Sequence, residues 1–317
     1  MRKFHFIKHS GWLFFLFSMF LTVPSWAQGE ETAVSSDMIR EMNPADKAAI
    51  LLVSFGTTHD DTRAVTIDAL YDKVKKAYPQ ITVARSFTSR IILRRLKARG
   101  IEFDTPIEAM LKLRAEGITH LVVQSTNIIE GEEMESLRRD VETMKPFFKE
   151  IRVGTPLLYS TEDALHVMEI LTRRHPVNEK QKEHVLFVGH GTEGPSTAIY
   201  SQLDYMLKAE GYPYHHVATI EGYPTQEDAL RMMQSQKGKQ VILVPLMFVA
   251  GDHAKNDISE DWKDALEARG LQVQLSIEGL GEIPEIQDIF MEHLRFSLTH
   301  RIRDIMEKKA VYASEND

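Results

Sequence analysis

The 317-residue chain contains no cysteine. That absence excludes disulfides, thiolate-held zinc, iron–sulfur clusters and thiol nucleophiles. Any metal the protein handles must be met by His, Asp, Glu or backbone oxygen. A broad basic field is missing as well: 38 Lys and Arg stand against 46 Asp and Glu, for a formal net charge of −8. Such a chain cannot neutralise a run of phosphates, which excludes nucleic acid as a partner. The apolar run that stands out, Trp12 to Val23, has only twelve residues, short of the roughly twenty a membrane-crossing helix needs. Common catalytic signatures are absent too. There is no P-loop and no Gly-x-Ser-x-Gly elbow. Gly189-His190-Gly191 is followed by Glu193-Gly194-Pro195, the wrong spacing for a dinucleotide fingerprint.

The N-terminus carries an export pattern. Arg2, Lys3 and Lys8 precede the apolar run, and Pro24-Ser25-Trp26-Ala27 follows it with small residues at a cleavage site. A cleaved signal peptide is predicted over residues 1–27, and with it a periplasmic location. Its removal takes away three positive charges and no negative one, bringing the mature chain from −8 to −11. Residues 28–46 are polar and aperiodic and read as a flexible leader.

From residue 47 onward, strands and helices alternate. Buried strands are predicted at Ala48–Ser54, Ile81–Arg85, His120–Gln124 and Ile151–Gly154. Helical periodicity fills Asp60–Ala77, Arg90–Arg99, Pro106–Glu116, Glu132–Phe148 and Thr161–Arg174. His175-Pro176-Val177 breaks the pattern, which then restarts. Strands are predicted at His184–Gly189, His216–Ile220, Val241–Leu246 and Gln272–Ile277. Helices are predicted at Ser196–Glu210, Gln226–Gln236, Ser259–Arg269 and, as a long closing helix, Pro284–Glu307. This alternation implies parallel sheets covered by helices on both faces. The halves also match in pattern: AAILLVSFGTTHDDT against EHVLFVGHGTEGPST, and ITHLVVQSTNIIEGEE against GKQVILVPLMFVAGDH. The expected fold class is α/β, with two similar flavodoxin-like domains over 47–176 and 177–317 and a cleft between them.

Ligands of open parallel sheets bind beyond the C-terminal ends of the strands. In the second half those ends lead into Gly189-His190-Gly191-Thr192, Glu221-Gly222-Tyr223-Pro224 and Ala250-Gly251-Asp252-His253. Each offers one metal donor: His190, Glu221 and His253. Two imidazoles and a carboxylate suit a borderline divalent ion and leave a coordination position open, as a reaction requires. In the first half Phe55 stands where His190 does and Glu133 where His253 does, and no acid follows Ala84 in the place of Glu221. One metal site is therefore expected, in the second domain.

At these residues the chain resembles the anaerobic sirohydrochlorin cobaltochelatase family, related in fold to ferrochelatases. LLVSFGTT, VQSTNIIEGEE, FVGHGT, IEGYP and PLMFVAGDHAKNDI carry the likeness, which runs from about Lys47 to Met306. The resemblance implies a chelatase fold with a tetrapyrrole cleft and metal ligation by His190, Glu221 and His253. It implies insertion of Co²⁺, with Fe²⁺ or Ni²⁺ as further candidate metals, into sirohydrochlorin. The carboxylates of that substrate require local cations. Arg63, Arg85, Arg90 and Lys255, near strand ends, are the candidates. Nothing in the sequence supports a bound haem, and the oligomeric state, a homo-oligomer included, is left open. Two other readings share the fold: an exported metal- or haem-binding protein without turnover, and a ferrochelatase acting on protoporphyrin. Of the remaining histidines, His120 and His184 are expected to be structural and one of His215 and His216 buried. His166, His175, His293 and His300 are expected to be solvated.

Overall fold

The computed structural model describes residues 33–315; the predicted signal peptide lies outside them. Two compact units are defined, Val34–Ile302 and a second that takes in the chain from Arg303. The larger unit opens within β1 (Ala33–Ser35), at Val34, and continues into α1 (Met38–Glu41), whose Met38 is buried. Residues 33–41 therefore carry ordered structure where the polar composition suggested a flexible leader.

The first lobe continues with β2 (Ala48–Ser54), then α2 (Asp60–Arg63), which passes through a wide π-type segment, Ala64–Asp68, into α3 (Ala69–Ala77). There follow β3 (Thr82–Phe87), α4 (Arg90–Ala98), α5 (Pro106–Ala115), β4 (His120–Ser125), α6 (Glu132–Met144), β5 (Glu150–Val153) and α7 (Thr161–Arg174). The second lobe has β6 (Glu183–Gly191), α8 (Ala198–Ala209), β7 (His215–Glu221), α9 (Gln226–Ser235) and β8 (Gln240–Leu246). A second π-type segment, Ala254–Trp262, leads into α10 (Lys263–Glu267), followed by β9 (Gln272–Leu275) and α11 (Pro284–Thr299). The expected long closing helix is interrupted: β10 (His300–Ile302) pairs with β1, and α12 (Ile305–Glu315) belongs to the other unit.

Local sequence explains the boundaries. β2 and β4 are buried along almost their whole length, around the apolar stretches Ala49–Val53 and Leu121–Val123, because helices cover both faces of a parallel sheet. Thr105, Ser160 and Thr225 cap α5, α7 and α9 in reciprocal capping boxes with Glu108, Asp163 and Asp228. The two sheets are all parallel and share one topology, β3-β2-β4-β5 and β7-β6-β8-β9. The strand order reverses between β2 and β4 in one lobe and between β6 and β8 in the other. Those switch points are where such sheets hold ligands.

Both sheets fall on either side of residue 177, but the last helix of each half packs across that line. Val167, Met168 and Leu171 of α7 line a small apolar pocket with Phe187, Leu203, Leu207, Val217 and Leu246 of the second lobe. α11 in turn packs against β4 and β5 of the first lobe. One hydrophobic cluster accordingly joins Ile50, Phe87 and Val122 to Phe187, Val217 and Phe290. Separate clusters fill the outer side of each sheet.

The histidines differ from expectation for the same reason. Both His215 and His216 are buried, because each face of β7 is covered. His184 Nδ1 and His216 Nε2 lie 2.9 Å apart, and burial holds the two rings at pKa values of about 4 and about 2, so both are neutral. His175 is buried, its carbonyl 2.8 Å from His215 Nε2, and His293 is largely buried against Asp163 at 3.0 Å. His184, His215 and His216 stand at the N-terminal ends of their strands, away from the end where ligands bind.

Candidate metal site at the lobe junction

β6 carries its apolar run as far as Gly189 and then presents His190. The chain can place that side chain because of Gly191. Its φ is +87°, and a Cβ there would lie 1.5 Å from the Glu221 carbonyl oxygen. Only glycine lets the ends of β6 and β7 pair this closely, Gly191 against Glu221. Tyr200, buried beneath the loop with its hydroxyl pushed up to about 12, accepts the Gly191 N–H at 3.4 Å. Gly56 holds the same position in the first lobe, with φ +98°, and there the residue beside it is the exposed Phe55. Register carries the comparison further. Phe87 pairs with Ser54 as Thr219 pairs with Gly189, so Ser89 stands where Glu221 does.

His253 arrives from β8, at the start of the wide helical segment Ala254–Trp262. Its ring and that of His190 meet edge to face, with centroids 4.6 Å apart and planes at 87°. In each ring Nδ1 is occupied. His190 Nδ1 lies 3.2 Å from the Gly191 carbonyl, and His253 Nδ1 lies 2.6 Å from Asp257 Oδ2. A ring that donates from Nδ1 is held in the tautomer whose Nε2 lone pair is free for a metal. Glu221 ends β7 as an exposed residue. Among the described residues no three His, Asp or Glu side chains are already gathered at ligating distance. The structure thus brings His190 and His253 together and leaves the Glu221 carboxylate on the neighbouring strand end.

The lobes touch through matching loops. The loop after β2 meets the loop after β8: His59 Nε2 lies 2.6 Å from Asp252 Oδ1, and Arg95 donates to Asp252 Oδ2 at 3.2 Å. The His59 ring, with Arg95 beside it, holds the Asp252 carboxyl below the usual carboxylate range. Lys255 Nζ stands 3.4 Å from both His59 Nδ1 and Asp61 Oδ2. Symmetrically, Ser196 in the loop after β6 donates to the Glu130 carbonyl in the loop after β4. The two switch points therefore face each other, and the pair of imidazoles sits on the second-lobe side.

The four cations chosen from sequence separate. Lys255 lies at this junction, two residues from His253. Arg63 pairs with Asp60 at 2.6 Å and Asp68 at 3.2 Å. Arg85 pairs with Asp68 and stacks over Tyr71 and Phe103 at 4.8 and 5.0 Å. Arg90 is exposed at the start of α4. Sequence reasoning missed Asp257, and the Asp252–Arg95 pair that His59 joins across the lobes. The signal for Asp257 was its position four residues after His253, one helical turn away.

A family profile described as cobalt chelatase (CbiK) matches residues 48–299. A sirohydrochlorin cobaltochelatase of Salmonella typhimurium is 37% identical over 263 residues, covering 81% of this chain and 99% of that protein. One of Nitratidesulfovibrio vulgaris is 34% identical over 257 residues, covering 79% and 90%. Among solved structures, SirB from Bacillus subtilis with Fe³⁺ superposes with a TM-score of 0.57 at 18% identity, covering 80% of this chain and 96% of that one. At that identity the likeness establishes the fold.

Proposed function

Since the chain belongs to the cobalt chelatase (CbiK) family, we propose that it is a metal chelatase, a lyase that inserts Co²⁺ into sirohydrochlorin. Fe²⁺ and Ni²⁺ are the competing ions that the same donors accept. The observation that carries this reading is the meeting of His190 and His253 with both Nδ1 atoms engaged. Two Nε2 lone pairs are then left free for a metal, on rings in contact with each other. Glu221 completes the set from the end of β7, leaving positions open for the pyrrole nitrogens.

The chemistry asks for three things. The ion must be held loosely enough to be passed on, which two neutral imidazoles and one carboxylate allow. The pyrrole protons must be removed as it enters, and Glu221, an exposed carboxylate beside the metal, is the acceptor we assign. The macrocycle must be held against the ion. The facing loop pairs, His59 to Asp252 and Ser196 to Glu130, tie the lobes together here, and we assign the macrocycle to the space beside them. Of the cations, we assign Lys255, at the lobe junction and 3.4 Å from its acid partner Asp61, to meet a substrate carboxylate. Arg63 and Arg85 are already paired with acids and serve the substrate only if those pairs open.

Mixing protein at low concentration with excess Co²⁺ and sirohydrochlorin is expected to shift the macrocycle absorbance band through many equivalents of product. A change that stops at one equivalent would assign the protein to binding without turnover.

We also place the mature enzyme in the periplasm, on the strength of the cationic, apolar and small-residue order of residues 1–27. Protein recovered from a periplasmic fraction is expected to begin at Gln28. Recovery of the intact chain with Met1 from the cytoplasm would remove this assignment.

A further inference from the structure

We infer that Asp257 is a positioning residue for the metal: it sets the tautomer and direction of His253. This rests on the ligand set proposed above. The contact is a single short one, Asp257 Oδ2 to His253 Nδ1 at 2.6 Å. His253 has helical backbone angles, φ −62° and ψ −40°, at the head of Ala254–Trp262, so Asp257 follows it by one turn on the same face. A carboxylate there accepts the hydrogen bond of Nδ1–H, which leaves the Nε2 lone pair for a metal, and its negative charge strengthens the imidazole as a donor. His190 has only a neutral acceptor, the Gly191 carbonyl, at the longer distance of 3.2 Å. The two imidazoles are therefore unequal. His253, with a carboxylate behind it, is the stronger donor and the one that captures the ion. His190 is the weaker, the first to let go when the macrocycle takes the ion.

An acid in the first turn of a helix also suits the helix dipole, so a loss on mutation is not by itself diagnostic. The test is a double-mutant cycle read by Co²⁺ affinity, with Co²⁺ alone as the probe and the full-length mature protein titrated in competition with a chromophoric chelator. Asp257→Ala is expected to weaken Co²⁺ binding about 10- to 100-fold, the usual cost of losing an outer carboxylate partner. Asp257→Asn, whose amide oxygen still accepts the Nδ1 proton, should lose less. In a His253→Ala background Asp257→Ala should change nothing further, because no ring is left to orient. An equal loss in both backgrounds would make Asp257 a helix-stabilising residue and overturn the inference, as would full affinity in Asp257→Ala. His253→Ala alone separates the failures. Full Co²⁺ affinity in that variant overturns the ligand set, and Asp257 with it. Weakened affinity there, beside an unaffected Asp257→Ala, overturns Asp257 alone.

Discussion

His190→Ala is expected to abolish Co²⁺ insertion while leaving the protein folded. The side chain is half-exposed at the end of β6, and its one hydrogen bond is to the neighbouring carbonyl. Its loss should cost little stability, within about 0.5 kcal/mol as for other exposed positions. Binding is a different matter. With one imidazole gone, only His253 and Glu221 of the proposed ligand set remain, and the free Nε2 lone pair of His190 is lost. Outer partners of a metal ligand are worth about 10- to 100-fold in affinity, so a ligand itself should exceed that. Steady-state turnover should fall by more than 100-fold while the melting temperature stays within a few degrees. The duplicated fold supplies an internal control. Phe55 occupies the same position in the first lobe, beside Gly56 as His190 is beside Gly191. Phe55→Ala should leave Co²⁺ affinity unaltered. Turnover that survives His190→Ala would remove the site from the second lobe, and the functional reading with it.

The candidate site's positions were legible because the physics of parallel sheets is local at strand ends. A buried apolar run, a glycine and a donor residue mark where a strand stops and what it presents, and β6 and β7 each did so in sequence, while His253 follows β8 by a further loop. The duplication was legible because both copies kept the Gly-Thr turn, and Gly56 and Gly191 do share a left-handed backbone. The exchange of α7 and α11 was not. Periodicity tells which face of a helix is apolar, but not which of two similar sheets that face will cover. The burial of both His215 and His216 followed from coverage on two faces, which alternation alone does not reveal. Glu221 was readable as a strand-end residue. How far its carboxylate stands from the two rings depends on strand stagger, which no spacing in the chain encodes. Asp257 was hidden for a plainer reason: acids one turn after a histidine are common on solvated helices.

The least legible residue carries the largest expected effect on stability. Arg152 lies in β5, a short edge strand whose sequence reads only weakly, and its side chain is 5% exposed. Its Nε donates to Glu150 at 2.8 Å. Nη1 reaches the carbonyls of Ser36, Ser297, Leu298 and His300 at 2.7 to 3.2 Å, and Nη2 donates to Ser36 Oγ at 2.8 Å. Those acceptors come from the turn after β1, the last turn of α11 and the start of β10. The carbonyls of Ser297 and Leu298 are among those a helix leaves unpaired at its C-terminus. One guanidinium therefore closes the exchanged helix and the β1–β10 pair onto the first-lobe sheet, through partners up to 148 positions away in sequence. Arg152→Ala leaves those buried oxygens without a donor and Glu150 without its cation. Breaking a buried ion pair from one side costs about 3–5 kcal/mol. For a chain of this size the melting temperature should drop by about 10 °C. Arg152→Lys should recover little of it, since a single ammonium cannot span acceptors arranged around a planar fork. The site lies at the other end of the molecule's logic: Co²⁺ affinity at low temperature, where the protein stays folded, should be close to that of the unaltered protein. A melting temperature unchanged by Arg152→Ala would show that α11 is held by its apolar face alone.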